Sequence, residues 1–318
     1  MSVAFELGGL LYMPAYQKNI VEKIKENKIP DLRSVAFCLE DSIQDASLYD
    51  AEKVLHWILR ELKGIKEDGG SLPYVFVRIR TPEHMTRILG EFRDVRDVID
   101  GFVLPKFDLG NADRYVSVVE AMDDKKYVMP ILESGMVADA GYRIEKMQLL
   151  KQKLEKIKPY VLNVRVGGND FCNLFGLRRK VDQDIYQIGM VRDVLVDILN
   201  VFGQEYVVSG PVWEYFGKDP NGKWAEGLKK ECEKDILNGF VGKTAIHPSQ
   251  LPIINDALKV SREDFEDAKQ ILGWNDEKAG CKKSIRANRM NEVKCHQKWA
   301  AKILILGQTY GVKEEEEE

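Results

Sequence analysis

The sequence lacks the basic surface pattern and the long apolar runs that mark two large classes of protein. Among its 318 residues, 47 lysines and arginines stand against 51 aspartates and glutamates, a net charge of −4. No basic stripe is visible, so binding to nucleic acid is not expected. No apolar run approaches the roughly 20 residues that a bilayer-spanning helix needs, so a membrane-spanning segment is not expected either.

Paired cysteines are also missing. The five cysteines show no CxxC spacing, which excludes a regular disulfide framework or a zinc knuckle; they are Cys38, Cys172, Cys232, Cys281 and Cys295. The first residues, MSVAFELGG, lack the basic and apolar regions of a signal peptide. We therefore expect a reduced, cytoplasmic compartment. The five glutamates at 314–318 are predicted to form a solvated tail.

Eight short apolar segments, rich in β-branched residues, alternate with amphipathic helical segments. The predicted strands are 10–14, 34–39, 73–79, 101–105, 127–132, 161–166, 206–209 and 242–246. An average of about 30 residues per unit over roughly 250 residues predicts a (β/α)8 TIM barrel. An open doubly wound sheet is the alternative, but its usual Gly-rich turn after the first strand is absent at Met13-Pro14-Ala15.

The chain is predicted to divide into a barrel over residues 1–260 and a helical extension over residues 261–318. The extension holds two predicted helices, Ser261–Leu272 and Lys283–Leu306, which would pack on their own barrel or on a neighbouring subunit. The aromatic segment from Val212 to Trp224 is too long for a tight connection, and loops of this kind are often lids or binding loops.

Polar side chains follow most of the predicted strands. They are Glu40, Asp41, Arg78, Arg80, Lys106, Glu133, Asp170, Ser209 and His247. In barrels of this kind the active site lies at the C-terminal ends of the strands. The sequence therefore predicts that these residues surround a common site.

Glu133 and Asp170 end consecutive strands and should be neighbours. Two carboxylates with no histidine or cysteine beside them suit a hard divalent ion such as Mg²⁺, with water and substrate completing the oxygen shell. Zinc would be expected to recruit histidine or cysteine. The alternative is that each carboxylate caps the following helix or pairs with an arginine.

The basic residues at the strand ends suit an acidic substrate. Arg78 could bind a carboxylate through its two-pronged guanidinium group. Arg80 is interpreted as either a second anion ligand or a partner for Glu40. Lys106 could contact substrate, or it could form an ion pair with Glu40 or Asp41 across the barrel mouth.

His247 and Gly168 complete the predicted substrate site. His247 is held extended by the following proline, and it either anchors a loop or acts as an acid or base. The Gly167-Gly168 pair would let a ligand approach the backbone closely, although an Asx-type turn is the alternative. A metal beside an arginine suits a 2-oxo acid whose enolate the metal stabilises.

These motifs resemble the citrate lyase beta-subunit-like enzymes, which belong with the HpcH/HpaI-type aldolases. The resemblance rests on LYMPA, FCLEDSI, VRIR, GFVLPK, PILES, VGGND and GKTAIHPSQ, in that order along the chain. It implies a (β/α)8 barrel, Mg²⁺ held by Glu133 and Asp170, and Arg78 on the substrate carboxylate and carbonyl. It also implies carbon–carbon lyase or aldolase chemistry on an oxo acid or acyl-CoA, in a homo-oligomer of three or six subunits.

Several positions depart from the family pattern. Ala15 replaces a common glycine, Arg80 replaces a common asparagine, and residues 47–50 offer no cation where relatives hold CoA. The chain thus resembles a divergent branch associated with bacterial stress and tellurium-resistance gene clusters. Two alternatives to the lyase remain at this point: a barrel that serves as a binding or assembly subunit, and phosphoenolpyruvate-type chemistry on the same scaffold.

Overall fold

Eight parallel strands form the centre of the molecule in the computed structural model, which describes residues 3–274 and 280–314. The strands are β1 (Gly9–Pro14), β2 (Ser34–Cys38), β3 (Tyr74–Arg78), β4 (Gly101–Leu104), β5 (Tyr127–Leu132), β6 (Val164–Val166), β7 (Val208–Ser209) and β8 (Lys243–Ala245). Each strand from β1 to β7 pairs with the next, and β8 pairs with β1. A bridge between Gly210 and Lys243 joins β7 to β8. The predicted (β/α)8 TIM barrel is confirmed.

Helices surround this barrel and extend beyond it. They are α1 (Val3–Glu6), α2 (Ile20–Lys25), α3 (Leu48–Glu67), α4 (Pro82–Glu91), α5 (Ala112–Ala121), α6 (Gly135–Ala138), α7 (Arg143–Glu155), α8 (Gly168–Leu174), α9 (Gly189–Phe202), α10 (Lys223–Asn238), α11 (Leu251–Ala257), α12 (Arg262–Leu272) and α13 (Val293–Tyr310). Within residues 3–274 and 280–314, none of these helices is long and apolar enough to cross a membrane.

The alternation of side chains along each strand divides the core into an interior and a shell. Successive residues of a strand point to opposite faces. Leu10, Phe76, Val103 and Met129 therefore fill the barrel interior, whereas Leu11 packs outward against the helices. On the helical side, α3 buries Leu55, Ile58, Leu59 and Leu62 at helical spacing, each stabilising the fold by roughly 1.5–3 kcal/mol.

A polar layer lies above the apolar filling, at the C-terminal ends of the strands. Tyr12, Arg78 and Arg165 approach one another there, since both guanidinium groups lie against the Tyr12 ring. Arg165 also contacts Thr244 across the barrel. The barrel thus presents its charged side chains at the mouth, where the sequence predicts the site.

Several helix boundaries differ from those expected. The first predicted helix, 16–28, is shorter and spans only Ile20–Lys25. The helix predicted at 139–156 begins later, at Arg143 of α7, because the Asp139 side chain accepts a 2.9 Å hydrogen bond from the Gly141 N–H and forms a turn before it. An aspartate that bonds the backbone two residues on favours a turn over a continuing helix.

The C-terminal extension contains a hairpin that the sequence reading missed. Residues 281–283 and 290–292 pair as antiparallel strands, so the helix expected to begin at Lys283 begins instead at Val293. The Ser284 hydroxyl donates to Asn288 Oδ1 at 2.8 Å, a local bond that competes with helix formation. Four of the five C-terminal glutamates, 315–318, lie outside the described residues.

The end of α13 packs on its own barrel, one of the two expected arrangements. Leu306 and Tyr310 lie in a cluster with Val241 and Leu258, and the Tyr310 hydroxyl donates a 2.7 Å hydrogen bond to the Phe5 carbonyl. At its other end, α13 packs Ala300 against Ala268 and Ile271 of α12. The division at residues 260 and 261 stays a prediction.

Candidate active site

Arg78 is the centre of the charged cluster at the barrel mouth. Its Nη2 atom lies 2.7 Å from Glu40 Oε2, 3.1 Å from Asp41 Oδ2 and 3.5 Å from Glu133 Oε1. The side chain is buried at the end of β3, and its Nε atom has no hydrogen-bond partner within the described residues. Burial opposes the charge, but Tyr12 and the Glu133 and Glu40 carboxylates more than offset it and raise the pKa of Arg78, which is therefore a fixed cation.

Lys106 closes one side of the mouth. Its Nζ atom lies 2.8 Å from Glu40 Oε1 and 3.2 Å from Asp41 Oδ1, so the ion pair considered from the sequence is present. Its φ of 48° places the residue in the left-handed region, which is uncommon for a side-chain-bearing residue. In this conformation the Lys106 N–H donates a 2.8 Å hydrogen bond to Glu133 Oε1.

Glu133 and Asp170 converge beside Gly167. A Cβ atom placed on Gly167 would lie 2.6 Å from Glu133 Oε2 and 3.1 Å from Asp170 Oδ2, so both oxygens border one small space. Asp170 lies in the first turn of α8, and no side chain caps that helix; the cap position of α6 belongs to Ser134. Neither carboxylate therefore caps a helix, but Glu133 does lie 3.5 Å from Arg78, the arginine pairing that was the other part of the alternative.

Burial affects the protonation of the carboxyl groups at the mouth. Burial raises the pKa of Glu133 to about 8, with Arg78 opposing the shift and the Asp170 carboxylate adding to it. Burial likewise raises the pKa of Glu40. Among residues 3–274 and 280–314, no group of three or more histidine, cysteine, aspartate or glutamate side chains could hold a metal. Glu133 and Asp170 thus form a two-carboxylate pair.

The two glycines after β6 have different surroundings. A Cβ at Gly168 would lie 2.7 Å from both the Ile185 Cδ1 and Pro211 Cβ atoms, so this residue is closely packed. The residue that borders the carboxylates is its neighbour, Gly167. The approach of a ligand to the Gly167-Gly168 pair stays a prediction.

One interpretation of the sequence paired Arg80 with Glu40, and the structure does not show this pair among the described residues. Arg80 holds the loop after β2 instead: its Nε donates to the Leu39 carbonyl at 2.7 Å, its Nη2 donates to the Ile43 carbonyl at 2.5 Å, and its Nη1 contacts Asp45. With its donors committed to this loop, Arg80 positions the segment that carries Glu40 and Asp41. A direct anion contact by Arg80 stays a prediction.

His247 anchors the aromatic loop. Its Nδ1 accepts a 3.2 Å hydrogen bond from the Ser249 N–H, and its ring stacks on Phe216 at 4.5 Å with an interplanar angle of 8°. Gln250 fixes the same loop through 2.9 Å bonds from Nε2 to the carbonyls of Trp213 and Tyr215. The loop-anchoring interpretation matches this placement, and burial lowers the pKa of His247.

Three residues of the mouth were missed from the sequence: Tyr12, Arg165 and Thr244. The Arg165 Nη2 atom donates a 2.8 Å hydrogen bond to Thr244 Oγ1, and the Arg165 Cζ atom lies 5.9 Å from the Tyr12 ring centre. A usable signal was present, since Arg165 interrupts an otherwise apolar strand. A charged side chain inside such a run rarely points into a purely apolar core.

Comparison with known proteins supports the family resemblance. A family model described as a C–C bond lyase of the TIM-barrel fold matches residues 1–312. A (3S)-malyl-CoA thioesterase of Cereibacter sphaeroides is 30% identical over 119 residues, or 37% of this chain. The match spans only 38% of the length of that curated relative.

Solved structures show the same fold. The protein CitE of Mycobacterium tuberculosis, in complex with magnesium, acetoacetate and coenzyme A, is similar with a TM-score of 0.62 and 18% identity, over 96% of this chain and 99% of that one. A citrate lyase beta subunit from M. tuberculosis complexed with oxaloacetate and magnesium gives a TM-score of 0.50 and 19% identity, over 81% and 99%. With the family model spanning nearly its full length, the chain belongs to the C–C bond lyase family of the TIM-barrel fold.

Proposed function

We propose that this protein is a Mg²⁺-dependent carbon–carbon bond lyase or aldolase acting on a small oxo or hydroxy acid. The observation that carries the proposal is the convergence of Glu133 and Asp170 on the space left by Gly167, with Arg78 3.5 Å from Glu133. The magnesium and small acids bound by the two solved relatives agree with it.

The donor set fits Mg²⁺. Glu133 and Asp170 would hold the ion through carboxylate oxygens, the ligands that a hard divalent cation prefers, and water and substrate would complete the shell. The absent Cβ at Gly167 lets the Glu133 side chain pack against the backbone there, within reach of Asp170. When bound, the ion supplies Lewis-acid stabilisation of negative charge that develops on the substrate oxygen.

Arg78 is proposed to bind the substrate carboxylate. Its Nη2 atom is engaged by Glu40 and Asp41, but its Nε donor is buried and has no partner among the described residues. An unused donor on a rigid, permanently charged group is suited to hydrogen bonding with an incoming carboxylate. Glu40 and Asp41 hold the guanidinium in place while this occurs.

Lys106 is proposed to contact the outer part of the substrate. Its ammonium group is half-exposed at the mouth, where Glu40 and Asp41 hold it. A substrate anion can exchange for one of these carboxylates at low cost, because partly exposed ion pairs contribute little stability. Lys106 would then complete the cationic side of the site.

The thioesterase relative favours a second candidate, an acyl-CoA substrate. We place the free acid first because residues 47–50 provide no cation for CoA phosphates. We further propose a homo-oligomer of three or six subunits, as the family resemblance implies. Native mass spectrometry would measure the subunit number directly.

Isothermal titration with Mg²⁺, followed by pyruvate or oxaloacetate, tests the proposal. Wild type should bind the metal and then the acid, and Glu133→Ala should lose both events. Thr86→Ala, on a helix outside the site, serves as the control and should bind like wild type. Absence of metal binding in wild type, or identical binding by Glu133→Ala, would favour a binding or assembly subunit over a lyase. Turnover of phosphoenolpyruvate in place of the oxo acid would favour the phosphorylated-substrate alternative.

A further inference from the structure

The polar layer of the barrel contains a buried guanidinium group without a counter-charge. Arg165 is 1% exposed, and its Nη2 atom donates to Thr244 Oγ1 at 2.8 Å. Among the described residues its Nε and Nη1 atoms have no hydrogen-bond partner, and Tyr12 is the other side chain that interacts with the guanidinium group. Within residues 3–274 and 280–314, no carboxylate forms an ion pair with Arg165. Buried charges are normally paired, so this one requires an explanation.

Other buried cations of this chain are paired. Lys243 lies 2.9 Å from Glu231 and 2.5 Å from Asp235, and Arg179 lies 2.5 Å from Glu231. An apolar residue of similar size would fill the position of Arg165 without the desolvation cost of a charge. The Tyr12 ring and the Thr244 hydroxyl contact Arg165 but supply no counter-charge, so a bound anion is the simplest partner.

The location of Arg165 fits an anion that enters from the mouth. Arg165 lies opposite Ile131 in the register of β5 and β6, next to the level at which Glu133 leaves β5. The Tyr12 ring is close to both guanidinium groups, with its centre 5.7 Å from Arg78 Cζ and 5.9 Å from Arg165 Cζ. Tyr12 therefore connects the position of Arg165 to that of Arg78 at the mouth.

We propose that Arg165, with the hydroxyl groups of Tyr12 and Thr244, forms a second anion subsite that binds the far acidic group of the substrate. Arg78 would bind the oxo-acid end, so the preferred substrate carries two acidic groups. Assigning the anion to the substrate rests on the proposed function. The subsite suits a compact oxyanion, either a carboxylate or a phosphate, which accepts hydrogen bonds from the unpartnered Nε and Nη1 atoms of Arg165.

Anion binding without metal tests the subsite. Succinate and inorganic phosphate are titrated, at matched ionic strength, into wild type, Arg165→Gln and the control Arg192→Gln, which removes an exposed arginine. At least one of the two anions should have the same affinity for wild type and for Arg192→Gln. Its affinity for Arg165→Gln should be lower by about tenfold or more. Tighter binding of succinate indicates a second carboxylate, and tighter binding of phosphate indicates a phosphorylated acid.

The proposal is overturned if neither anion binds wild type, or if Arg165→Gln binds as tightly as wild type. Arg165→Gln should fold, because it removes an uncompensated charge, and its melting temperature without ligand should be higher than that of wild type. Should it fail to fold, Arg165→Lys keeps the charge but not the planar fork, and weaker anion binding is again expected.

The same variants separate this inference from the proposed function. If wild type binds succinate or phosphate through Arg165 but does not bind Mg²⁺ with pyruvate, the subsite is supported and the lyase proposal is rejected. If wild type binds Mg²⁺ and pyruvate, and Arg165→Gln binds the anions as wild type does, the lyase proposal is supported and the subsite is rejected.

Discussion

The backbone N–H of Lys106 donates a 2.8 Å hydrogen bond to Oε1 of Glu133, so the two oxygens of this carboxylate have different surroundings. Oε1 faces Lys106 and Arg78, whereas Oε2 faces Gly167 and Asp170. The end of β4 therefore orients the carboxylate at the end of β5. One oxygen is held by the protein, and the other is directed to the proposed metal position.

Gly167→Ala should disrupt this arrangement. The new Cβ would lie 2.3 Å from Glu133 Cβ and 2.6 Å from Oε2, so the carboxylate must move. We expect Mg²⁺ affinity to fall at least about tenfold and the free energy of unfolding to fall by about 1–3 kcal/mol. Calorimetric titration and urea denaturation measure the two effects.

Gly64→Ala provides the matched control. Gly64 lies within α3, and a Cβ there would meet no atom within 4 Å. This substitution should leave Mg²⁺ binding unchanged and stabilise the protein by about 0.5–1 kcal/mol, as alanine favours the helix. Equal metal binding by Gly167→Ala and Gly64→Ala would contradict the assignment of the Gly167 space.

Arg78→Lys should separate the charge of Arg78 from its geometry. Lysine keeps the positive charge but lacks the planar fork and the unused Nε donor. We expect the affinity for pyruvate in the presence of Mg²⁺ to fall about ten- to a hundredfold, which corresponds to losing a charged hydrogen bond. The affinity for Mg²⁺ alone should change much less. A pyruvate affinity equal to that of wild type would place the substrate carboxylate elsewhere.

The buried His84 side chain should make the free energy of unfolding depend on pH. Its Nε2 lies 3.0 Å from Glu52 Oε1, its Nδ1 accepts from the Arg80 N–H at 3.1 Å, and burial lowers its pKa to about 4. Between pH 4 and 6.5 the unfolded chain binds the proton more readily, so stability falls as the solution is acidified through this window. The slope contributed by His84 should approach about 1.4 kcal/mol per pH unit.

The measurement is the free energy of unfolding from pH 4 to pH 7 for wild type and His84→Gln. Glutamine cannot titrate, so the variant should show a flatter curve across this range. Parallel curves for the two proteins would mean that His84 is not held neutral in the folded state.

Gln250→Leu should loosen the aromatic loop. It removes the two bonds from Nε2 to the Trp213 and Tyr215 carbonyls and the 2.8 Å bond from the Ile246 N–H to Oε1. Buried backbone groups left unpaired cost about 1–3 kcal/mol each, so the loss of three such bonds should cost roughly 3–9 kcal/mol. Amide hydrogen exchange should rise at 212–216 before it rises in the strands, and uniform exchange throughout would argue against a local anchor.

The fold was accessible from the sequence because its signals are local. The apolar runs such as SVAFC and GFVL, separated by amphipathic helices, predict eight strand–helix units without knowledge of any contact. Glu133 and Asp170 were identifiable for a related reason. Each follows a strand directly, and the ends of neighbouring parallel strands must lie together.

Two kinds of error arose where side chains compete for local partners. Most of the hairpin at 281–292 was predicted to be the start of the following helix. Its polar residues show no alternating pattern that would have predicted two strands. A pairing of Arg80 with Glu40 was one of two interpretations, but Arg80 donates to the carbonyls of Leu39 and Ile43 instead. Such choices depend on loop conformation, which alternation of apolar and polar residues does not specify.

By itself, the sequence determined the barrel, the carboxylate pair and the arginine at the end of β3. Only the tertiary structure decided that Gly167 borders the carboxylates while Gly168 packs on Ile185, and that Arg165 meets Tyr12 and Thr244. The physical reason is that strand stagger and closure of the barrel bring residues of β1, β6 and β8 within a few ångströms of one another. Separation along the chain says nothing about such distances, on which hydrogen bonds and ion pairs depend.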